Sequence, residues 1–270
     1  MIDTPENGMS DVVRYAIDDG IATLTLNRPD RLNAWTPEME VRYFDLLEQA
    51  AADPAVRVII VTGAGKGFCA GADMAALRDT DPEENARRRS HRPMTFPLTI
   101  PKPIIGAING ACAGLGLAQA LMCDLRFAAA GSKFTAAFSK LGLVAEHGTS
   151  WHLPMLVGIS NALDLLYSSR VVLAEEALEL GLVNRVLPPD ELLGEARAYA
   201  AVLVETISPA AMADIKSQVY RHVQMDRDEA LEESNRLVAD SLKREDFSEG
   251  VTSFQQRRKP TFPPLPRSGA

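Results

Sequence analysis

The amino-acid sequence predicts an α/β fold that becomes mainly helical toward its carboxyl end. Up to about Ser160, apolar β-branched runs typical of buried strands alternate with segments of helical periodicity. Beyond Ser160, helical patterns dominate. Such alternation is typical of βαβ units around a buried sheet. We therefore expect an α/β core, with the last helices packed on that core or on another subunit.

The amino-terminal elements are a predicted hairpin and a predicted helix. Residues 12–17 and 21–27 are expected strands around Asp18-Asp19-Gly20, a sequence typical of tight hairpin turns. Thr36-Pro37 combines an N-cap residue with proline in the first turn. This pair predicts a helix that runs to about Ala52.

The middle of the chain contains further buried strands separated by small residues. Residues 56–62, 103–108 and 124–129 are predicted strands, and residues 114–122 a helix. Residues 79–92 are strongly charged and predict a surface segment. Ser208-Pro209 repeats the helix-start pattern, and residues 200–258 have helical periodicity. We expect a core over residues 1–206 and a helical region over residues 207–270.

Composition excludes several classes of function. The 270 residues are 46% hydrophobic and carry a net charge of −8, which disfavours nonspecific nucleic-acid binding. The sequence has no uncharged apolar run of about 18 residues and no signal-peptide pattern at its start, so we expect a cytoplasmic protein without a membrane span. Cys69, Cys112 and Cys123 are expected to be reduced packing residues. CxxC and HExxH spacings are lacking, so no metal site is predicted.

Two glycine-rich segments are candidate anion sites. Residues 65–74 and 109–117 each follow a predicted buried strand and precede a helical pattern. Free backbone N–H groups in such a loop, together with a helix N-terminus, favour negative charge. Gly67 stands where a Walker loop needs Ser or Thr, so the first loop is not of that type. Tight turns and close helix packing also explain glycines, so the loops alone do not identify a function.

Several short motifs occur in a fixed order between residues 12 and 262. They are Leu26-Asn27-Arg28-Pro29, Leu32-Asn33-Ala34, Phe68-Cys69-Ala70-Gly71-Ala72-Asp73, Lys102-Pro103-Ile104-Ile105, Asn109-Gly110, Gly114-Leu115-Gly116, Cys123-Asp124, and Phe254 with Arg257-Arg258-Lys259. In content and order, these motifs resemble the crotonase superfamily, also called the enoyl-CoA hydratase/isomerase family.

The resemblance implies a fold and a ligand. The implied fold is a crotonase-like spiral of ββα units with a carboxyl-terminal helical region that builds homotrimers, often paired into hexamers. The implied substrate is an acyl-CoA thioester. Its oxygen would be held in an oxyanion hole made by the backbone N–H groups of Ala72 and Leu115. No metal, flavin or nicotinamide cofactor is implied, because the thioester and the backbone donors suffice; coenzyme A is part of the substrate.

The resemblance also implies where coenzyme A binds. Backbone groups near Arg28, Asn33, Ala34 and Ala70 are the expected contacts. Lys66 is a candidate phosphate partner. A basic cluster at the carboxyl end is another, supplied in this case by a neighbouring subunit; its members are Arg257, Arg258 and Lys259.

The acids distinguish the reactions of this superfamily. At the two positions where a typical hydratase has glutamate, this sequence has Ala118 and Phe138, and neither side chain can transfer a proton. Glu146 is the only acid between Asp124 and Asp164. Its segment is similar to the one that carries the single catalytic glutamate of Δ3,Δ2-enoyl-CoA isomerases. A double-bond shift needs only one base, which takes a proton from C2 and returns it at C4.

Other readings remain open at this point. Some superfamily members have an aspartate at the position of Glu146, and in an aryl-CoA dehalogenase it acts as a nucleophile. A divergent hydratase, a thioester hydrolase and a non-catalytic acyl-CoA-binding subunit are the alternatives to an isomerase. His147 either tunes Glu146 or has a packing role. Trp151 and His152 are expected on the next helix, and Asp73 is expected to be structural.

Overall fold

The computed structural model describes residues 11–74 and 90–265. The strands in these residues are β1 (Val13–Asp18), β2 (Ile21–Leu26), β3 (Val58–Gly63), β4 (Gly67–Cys69), β5 (Ile104–Ile108), β6 (Ala111–Ala113), β7 (Leu125–Ala129), β8 (Lys133–Thr135), β9 (Val172–Leu173) and β10 (Arg185–Leu187). The helices are α1 (Pro37–Ala52), α2 (Leu115–Leu121), α3 (Thr149–Val157), α4 (Ile159–Ser168), α5 (Ala174–Glu179), α6 (Leu192–Thr206), α7 (Pro209–His222), α8 (Arg227–Ser241) and α9 (Glu245–Gln256). Short 3-10 helices span Pro29–Arg31, Phe96–Thr99 and Ser139–Leu141.

The strands form two sheets, and the chain passes repeatedly from one to the other. The larger sheet has the order β1-β2-β3-β5-β7-β10 and the smaller one β4-β6-β8-β9. Strands β3, β5 and β7 lie in the larger sheet, and each is followed along the chain by a strand of the smaller sheet. Neighbours among β3, β5 and β7, and among β4, β6 and β8, are parallel. The result is a spiral of ββ turns with helices between them, as the family resemblance implies.

The amino-terminal predictions are confirmed. β1 and β2 form an antiparallel hairpin, with Asp19 at φ 49° and Gly20 at φ 77° in the turn. Two positive φ angles are the requirement of a type I′ hairpin turn. Helix α1 begins at Pro37, where the Thr36 side chain accepts a hydrogen bond of 3.2 Å from the Met39 backbone N–H. The helix ends at Ala52.

The larger sheet is buried on both faces. Ile59 and Val61 of β3 face the core that contains Phe44 of α1. The alternate residues of β3, Val58 and Ile60, belong to a second core with Ala196 of α6. Because successive side chains of a strand point to opposite faces, α1 and α6 cover opposite sides of the sheet. This explains why β3 reads as a continuous apolar run.

The boundaries of several elements differ from the predicted ones by one or two residues. The predicted strand 56–62 begins at Val58, because Val56 still donates to the Asp53 carbonyl in a turn. The charged segment predicted for residues 79–92 falls outside the described residues, except for its last three residues. Within the described residues, no single helix is long and apolar enough to cross a membrane. Taken together, helices Leu192–Thr206 and Pro209–His222 have the length and composition of a membrane span, but the chain bends by 113° between them.

Candidate active site

Three predicted site residues follow neighbouring strands of the smaller sheet. Ala72 follows β4, Leu115 follows β6, and Glu146 lies in the segment after β8. These strands are parallel and adjacent in the order β4-β6-β8. The three segments therefore leave the same edge of the sheet. Ligands of α/β proteins bind at the carboxyl ends of parallel strands.

The backbones of the first two segments touch. A Cβ atom built on Gly71 would lie 3.1 Å from the carbonyl oxygen of Ala113 and 4.0 Å from Cα of Gly114. Gly71 has φ 103° and Gly114 has φ 49°, a region that favours glycine. The two glycines thus allow close approach and the local turns. They bring the next residues, Ala72 and Leu115, to neighbouring positions.

Within the part of the chain that the structure describes, the N–H groups of Ala72 and Leu115 are left without a backbone acceptor. Trp35 and Ala72 form a parallel bridge, in which Trp35 N–H donates to Gly71 O at 2.7 Å and Asp73 N–H donates to Trp35 O at 2.9 Å. The Ala72 N–H points away from that bridge. Leu115 is the first residue of α2, where N–H groups have no acceptor within the helix. Among the described residues, neither group has a backbone acceptor.

Helix α2 packs very closely on β4. A Cβ atom on Gly116 would lie 2.1 Å from the carbonyl oxygen of Cys69, so a side chain at this position would displace the helix. This contact holds the start of α2, and with it the Leu115 N–H, against the strand that leads to Ala72. The glycine at position 116 is thus explained by the placement of the two donors.

Glu146 lies on a strained turn that starts α3. His147 has φ 56° and Gly148 has φ 80°. The carbonyl of Glu146 accepts a hydrogen bond of 2.9 Å from the Thr149 N–H, which closes the turn. The Glu146 side chain is 31% exposed, and its Oε2 lies 3.3 Å from Nε2 of His147. The carboxylate is therefore partly shielded from water and has a titratable neighbour.

The other two positions compared with hydratases are occupied by buried apolar side chains. Ala118 lies in α2 and is fully buried, and Phe138 is 5% exposed. Gln119, next to Ala118, donates from Nε2 to the carbonyl of Met94 at 3.3 Å. Its amide is thus directed at the segment before β5, as expected from its helix position. Neither Ala118 nor Phe138 can supply a proton-transfer group.

Arg28 and Asn33 hold the loops where coenzyme A is predicted to bind. Arg28 donates to the carbonyl of Ala34 at 2.6 Å and to Oδ2 of Asp73 at 2.8 Å. Asn33 is fully buried, and its Nδ2 donates to the carbonyls of Ala64 and Gly67. Their side chains therefore join the segments after β2, β3 and β4. The ion pair agrees with the structural role expected for Asp73.

The backbone near these residues is partly engaged. Ala70 N–H donates to the carbonyl of Leu32 at 3.0 Å, and Ala34 N–H donates to that of Arg31 at 3.0 Å. Lys66 is exposed in the loop between β3 and β4. It directly precedes β4, whereas Ala72 follows the carboxyl end of that strand, so its role as a phosphate partner remains a prediction.

The carboxyl-terminal basic cluster lies at the other edge of the larger sheet. Arg57, directly before β3, donates to the carbonyls of Val204 and Phe262. Lys259 contacts Glu205, at the end of α6. These contacts place residues 257–262 at the amino end of β3, whereas Lys66 follows its carboxyl end. A strand of six residues separates these ends by about 20 Å.

The members of the basic cluster differ in whether they are already paired with an acid. Arg258 forms a bidentate ion pair with Glu249, at 2.6 and 2.8 Å. Arg257 ends α9 with φ 53° and is exposed. The fold does not bring Arg257, Arg258 and Lys259 to the site of their own chain. A role of this cluster in coenzyme A binding thus requires a second subunit.

Glu40 is a site neighbour that sequence analysis did not single out. Its side chain is 3% exposed, and its carboxylate accepts hydrogen bonds from Trp35 Nε1 at 3.2 Å and Ser90 N–H at 3.1 Å. It lines a cavity of about 420 Å3 with His147, Gly148 and residues 90 and 92–95. The sequence signal that could have identified Glu40 is an acid on the apolar face of α1, four residues before Phe44.

Most other titratable side chains have structural partners. Asp124 accepts hydrogen bonds from Lys216 Nζ at 2.8 Å and from the Tyr220 hydroxyl at 2.9 Å. Burial lowers the pKa of His152, on α3, to about 4. Cys69, Cys112 and Cys123 are buried, and burial raises the pKa of each thiol. Buried thiols that resist ionisation fit the packing role expected for the three cysteines. Among the described residues, no His, Cys, Asp and Glu cluster could hold a metal ion.

Comparison with known proteins gives a consistent family assignment. Residues 16–264 match the sequence profile of the enoyl-CoA hydratase/isomerase family. A 1,2-epoxyphenylacetyl-CoA isomerase from Escherichia coli (strain K12) is 35% identical over 264 residues, which cover 94% of this chain and 99% of the relative.

Solved structures agree with this result. A probable enoyl-CoA hydratase/isomerase from Mycobacterium abscessus superposes with a TM-score of 0.86 at 28% identity, over 94% of this chain and 99% of the other. An enoyl-CoA hydratase, EchA12_1, from Mycobacterium marinum is 48% identical with a TM-score of 0.68, over 78% of this chain and 98% of the other. Proteins named as isomerase and as hydratase thus both resemble this chain.

Proposed function

This chain belongs to the enoyl-CoA hydratase/isomerase family of acyl-CoA enzymes, and we propose that it shifts a double bond in an enoyl-CoA. In this proposal, Glu146 is the only group that moves a proton. The supporting observation is the composition of the site edge. Ala72 after β4 and Leu115 after β6 each offer an N–H group with no backbone acceptor among the described residues, and Glu146 after β8 adds a partly exposed carboxylate.

The proposed reaction starts with proton removal at C2 of a 3-enoyl-CoA. The Glu146 carboxylate takes this proton, and the electron pair of the C2–H bond moves toward the thioester carbonyl. The dienolate oxygen accepts hydrogen bonds from the N–H groups of Ala72 and Leu115. Donors fixed where charge develops stabilise such an intermediate, by about 3–4 kcal/mol for one donor.

The second step returns the same proton at C4. The electron pair of the dienolate forms the new C4–H bond, and a C2–C3 double bond remains conjugated with the thioester. Glu146 is then a carboxylate again, so the cycle is balanced without another acid. We infer that coenzyme A, carried by the substrate, is the only non-protein group required, because the base and the two donors suffice for this chemistry.

Hydration is the competing reaction, and the name of the Mycobacterium marinum relative favours it. Adding water requires one group to deprotonate water and another to protonate C2. The positions of Ala118 and Phe138 supply neither. The buried, apolar ring of Phe138 disfavours a bound water on that side of the site. These two residues therefore support isomerisation over hydration.

We also propose that the enzyme works as a homotrimer or as a hexamer. Ile159 is 73% exposed and Tyr167 is 74% exposed; they lie on one stripe of α4 with Leu163. Phe254 of α9 is 86% exposed. Apolar surfaces of this kind support subunit contacts. Assembly would also bring the basic cluster of one chain toward the site of another.

The experiment compares the wild-type protein with Glu146→Gln. Both are assayed with 3-enoyl-CoA for isomerisation and with 2-enoyl-CoA for hydration. We expect the substitution to lower kcat for isomerisation by roughly 100-fold or more, the size of a general-base contribution. Glu179→Gln is the matched control, since Glu179 is exposed on α5, away from the site edge.

Four outcomes would overturn parts of the proposal. Hydration of 2-enoyl-CoA that survives Glu146→Gln would identify a hydratase. Full isomerisation by the variant would exclude Glu146 as the base. Release of free coenzyme A by the wild type would identify a thioester hydrolase, whereas tight binding of the ester without any turnover would identify a binding subunit.

A further inference from the structure

His147 is the nearest titratable neighbour of Glu146 among the described residues. Nε2 of the imidazole lies 3.3 Å from Oε2 of the carboxylate. The two side chains are 21% and 31% exposed, respectively, so solvent only partly screens their interaction. The contact therefore holds one of the two carboxylate oxygens against the imidazole.

The backbone of His147 is in an unfavourable conformation. Its φ of 56° lies in the left-handed region, which is sterically unfavourable for a residue other than glycine. Asn and Asp are also tolerated in this region, and glycine is strain-free. A strained residue directly beside a predicted base is the kind of outlier that points to a functional constraint. The turn directs the imidazole toward Glu146.

We propose that His147 is a positioning residue that sets both the orientation and the basicity of Glu146. This inference rests on the proposed function of Glu146. The contact of the imidazole Nε2 with Oε2 orients the carboxylate toward the substrate. When His147 gains a proton, its positive charge stabilises the carboxylate and makes it a weaker base. The pair therefore loses activity as the pH falls.

Other charged groups face His147 from the neighbouring elements. The described ones that line the same cavity are Glu40, from α1, and Arg92, from the segment before β5. Arg92 is paired with Asp45 and Glu48 of α1, so its charge is largely compensated. Glu40 adds a negatively charged side chain to the lining of this cavity.

The test uses two variants in the 3-enoyl-CoA isomerisation assay. His147→Gly removes the imidazole and keeps the left-handed backbone, whereas His147→Gln keeps an N–H donor at nearly the position of Nε2 but does not titrate. For His147→Gly we expect a 10- to 100-fold lower kcat, the cost of losing one polar contact to a charged group, with KM within about twofold of wild type. His147→Gln should recover most of this loss.

The dependence of kcat/KM on pH separates positioning from a packing role. We expect two ionisations in the acid limb of the wild-type profile and one in that of His147→Gln. Wild-type kcat in His147→Gly, or an unchanged profile in His147→Gln, would overturn the inference. If His147→Gly fails to fold, the profile of His147→Gln still decides.

A parallel assay of Glu146→Gln distinguishes a failure of the His147 inference from a failure of the proposed function. Loss of activity in Glu146→Gln together with normal His147 variants would reject only the role of His147. Full activity in Glu146→Gln would reject the proposed function itself.

Discussion

Gly71 and Gly114 lie against each other at the site edge, with the built Cβ of Gly114 only 3.9 Å from Cα of Gly71. This contact joins the segment after β4 to the segment after β6. Because each glycine directly precedes a proposed oxyanion donor, their contact fixes the separation of the two N–H groups. The donors are thus positioned by the backbone, independently of the side chains at Ala72 and Leu115.

The first prediction concerns this contact. Gly71→Ala places a Cβ atom 3.1 Å from the carbonyl of Ala113, at a φ of 103° that an alanine rarely adopts. The segment must shift, which displaces the Ala72 N–H. We expect kcat for isomerisation to fall by roughly 100- to 1,000-fold, as for loss of one oxyanion donor. Steady-state kinetics measure the effect on kcat, and calorimetry measures the effect on coenzyme A binding.

Gly131→Ala is the control for this prediction. Gly131 has a φ of 75°, but a Cβ atom there meets nothing within 4 Å. The control therefore carries backbone strain without displacing a donor, and its kcat should stay near the wild-type value. If Gly71→Ala and Gly131→Ala had equal kcat values, the Gly71–Gly114 contact would not be what determines the catalytic rate.

The second prediction concerns the stability of the junction between α7 and the core. Lys216 is buried against Asp124, which also accepts hydrogen bonds from Ile104 N–H and Tyr220. Burial lowers the pKa of Lys216, and the charge of Asp124 opposes this shift. Asp124→Asn leaves a buried ammonium group without its counter-charge. We expect a loss of about 3–5 kcal/mol in the free energy of unfolding, measured by urea denaturation.

Asp164→Asn tests whether burial causes this loss. Asp164 pairs with Arg170 at 2.7 Å, but their side chains are 50% and 37% exposed. Exposed ion pairs contribute little, so we expect a change within about 0.5 kcal/mol. A similar loss in both variants would mean that the burial of the Asp124–Lys216 pair is not the source of its effect.

The third prediction is a pH dependence of stability from His152. Burial, and then the charge of Arg126, lowers the pKa of His152 to about 4 in the folded chain, from an ordinary value of 6.5. Between these values the unfolded chain binds a proton that the folded chain does not. Stability is therefore fully present above about pH 6.5 and is lost as the pH falls toward 4.

His152→Gln should remove this component. From pH 7 to pH 5 we expect the wild type to lose about 2 kcal/mol more unfolding free energy than the variant. Urea denaturation at several pH values measures the difference, and His91→Gln, at an exposed position, serves as the control. Parallel curves for wild type and His152→Gln would refute the assignment to His152.

The fold could be predicted wherever local chemistry decides the structure. The N-cap of Thr36, the hairpin turn at Asp19-Gly20 and the apolar run of β3 each determine their element through neighbouring residues. The smaller sheet was not predicted as such. Its strands β4, β6 and β8 have three residues each, too few to show a period. Their pairing depends on contacts between distant segments.

The candidate site was predictable in part for the same reason. Glu146 and the glycines are recognisable by their local sequence. The pairing of Arg28 with Asp73 and the burial of Asn33 depend on residues 31 to 45 positions away, so no local pattern indicates them. The pairing of Lys259 with Glu205 is of the same kind. Roles of these residues in coenzyme A binding remain predictions.

The central claim is that one carboxylate carries a proton from C2 to C4. A single turnover of 3-enoyl-CoA with two deuterium atoms at C2, in ordinary water and with enzyme in excess, tests it most directly. We predict that part of the removed deuterium appears at C4 of the 2-enoyl-CoA product, as measured by mass spectrometry and NMR. Transfer should disappear with Glu146→Gln. A wild-type product with no deuterium at C4, or one hydroxylated at C3, would contradict the account.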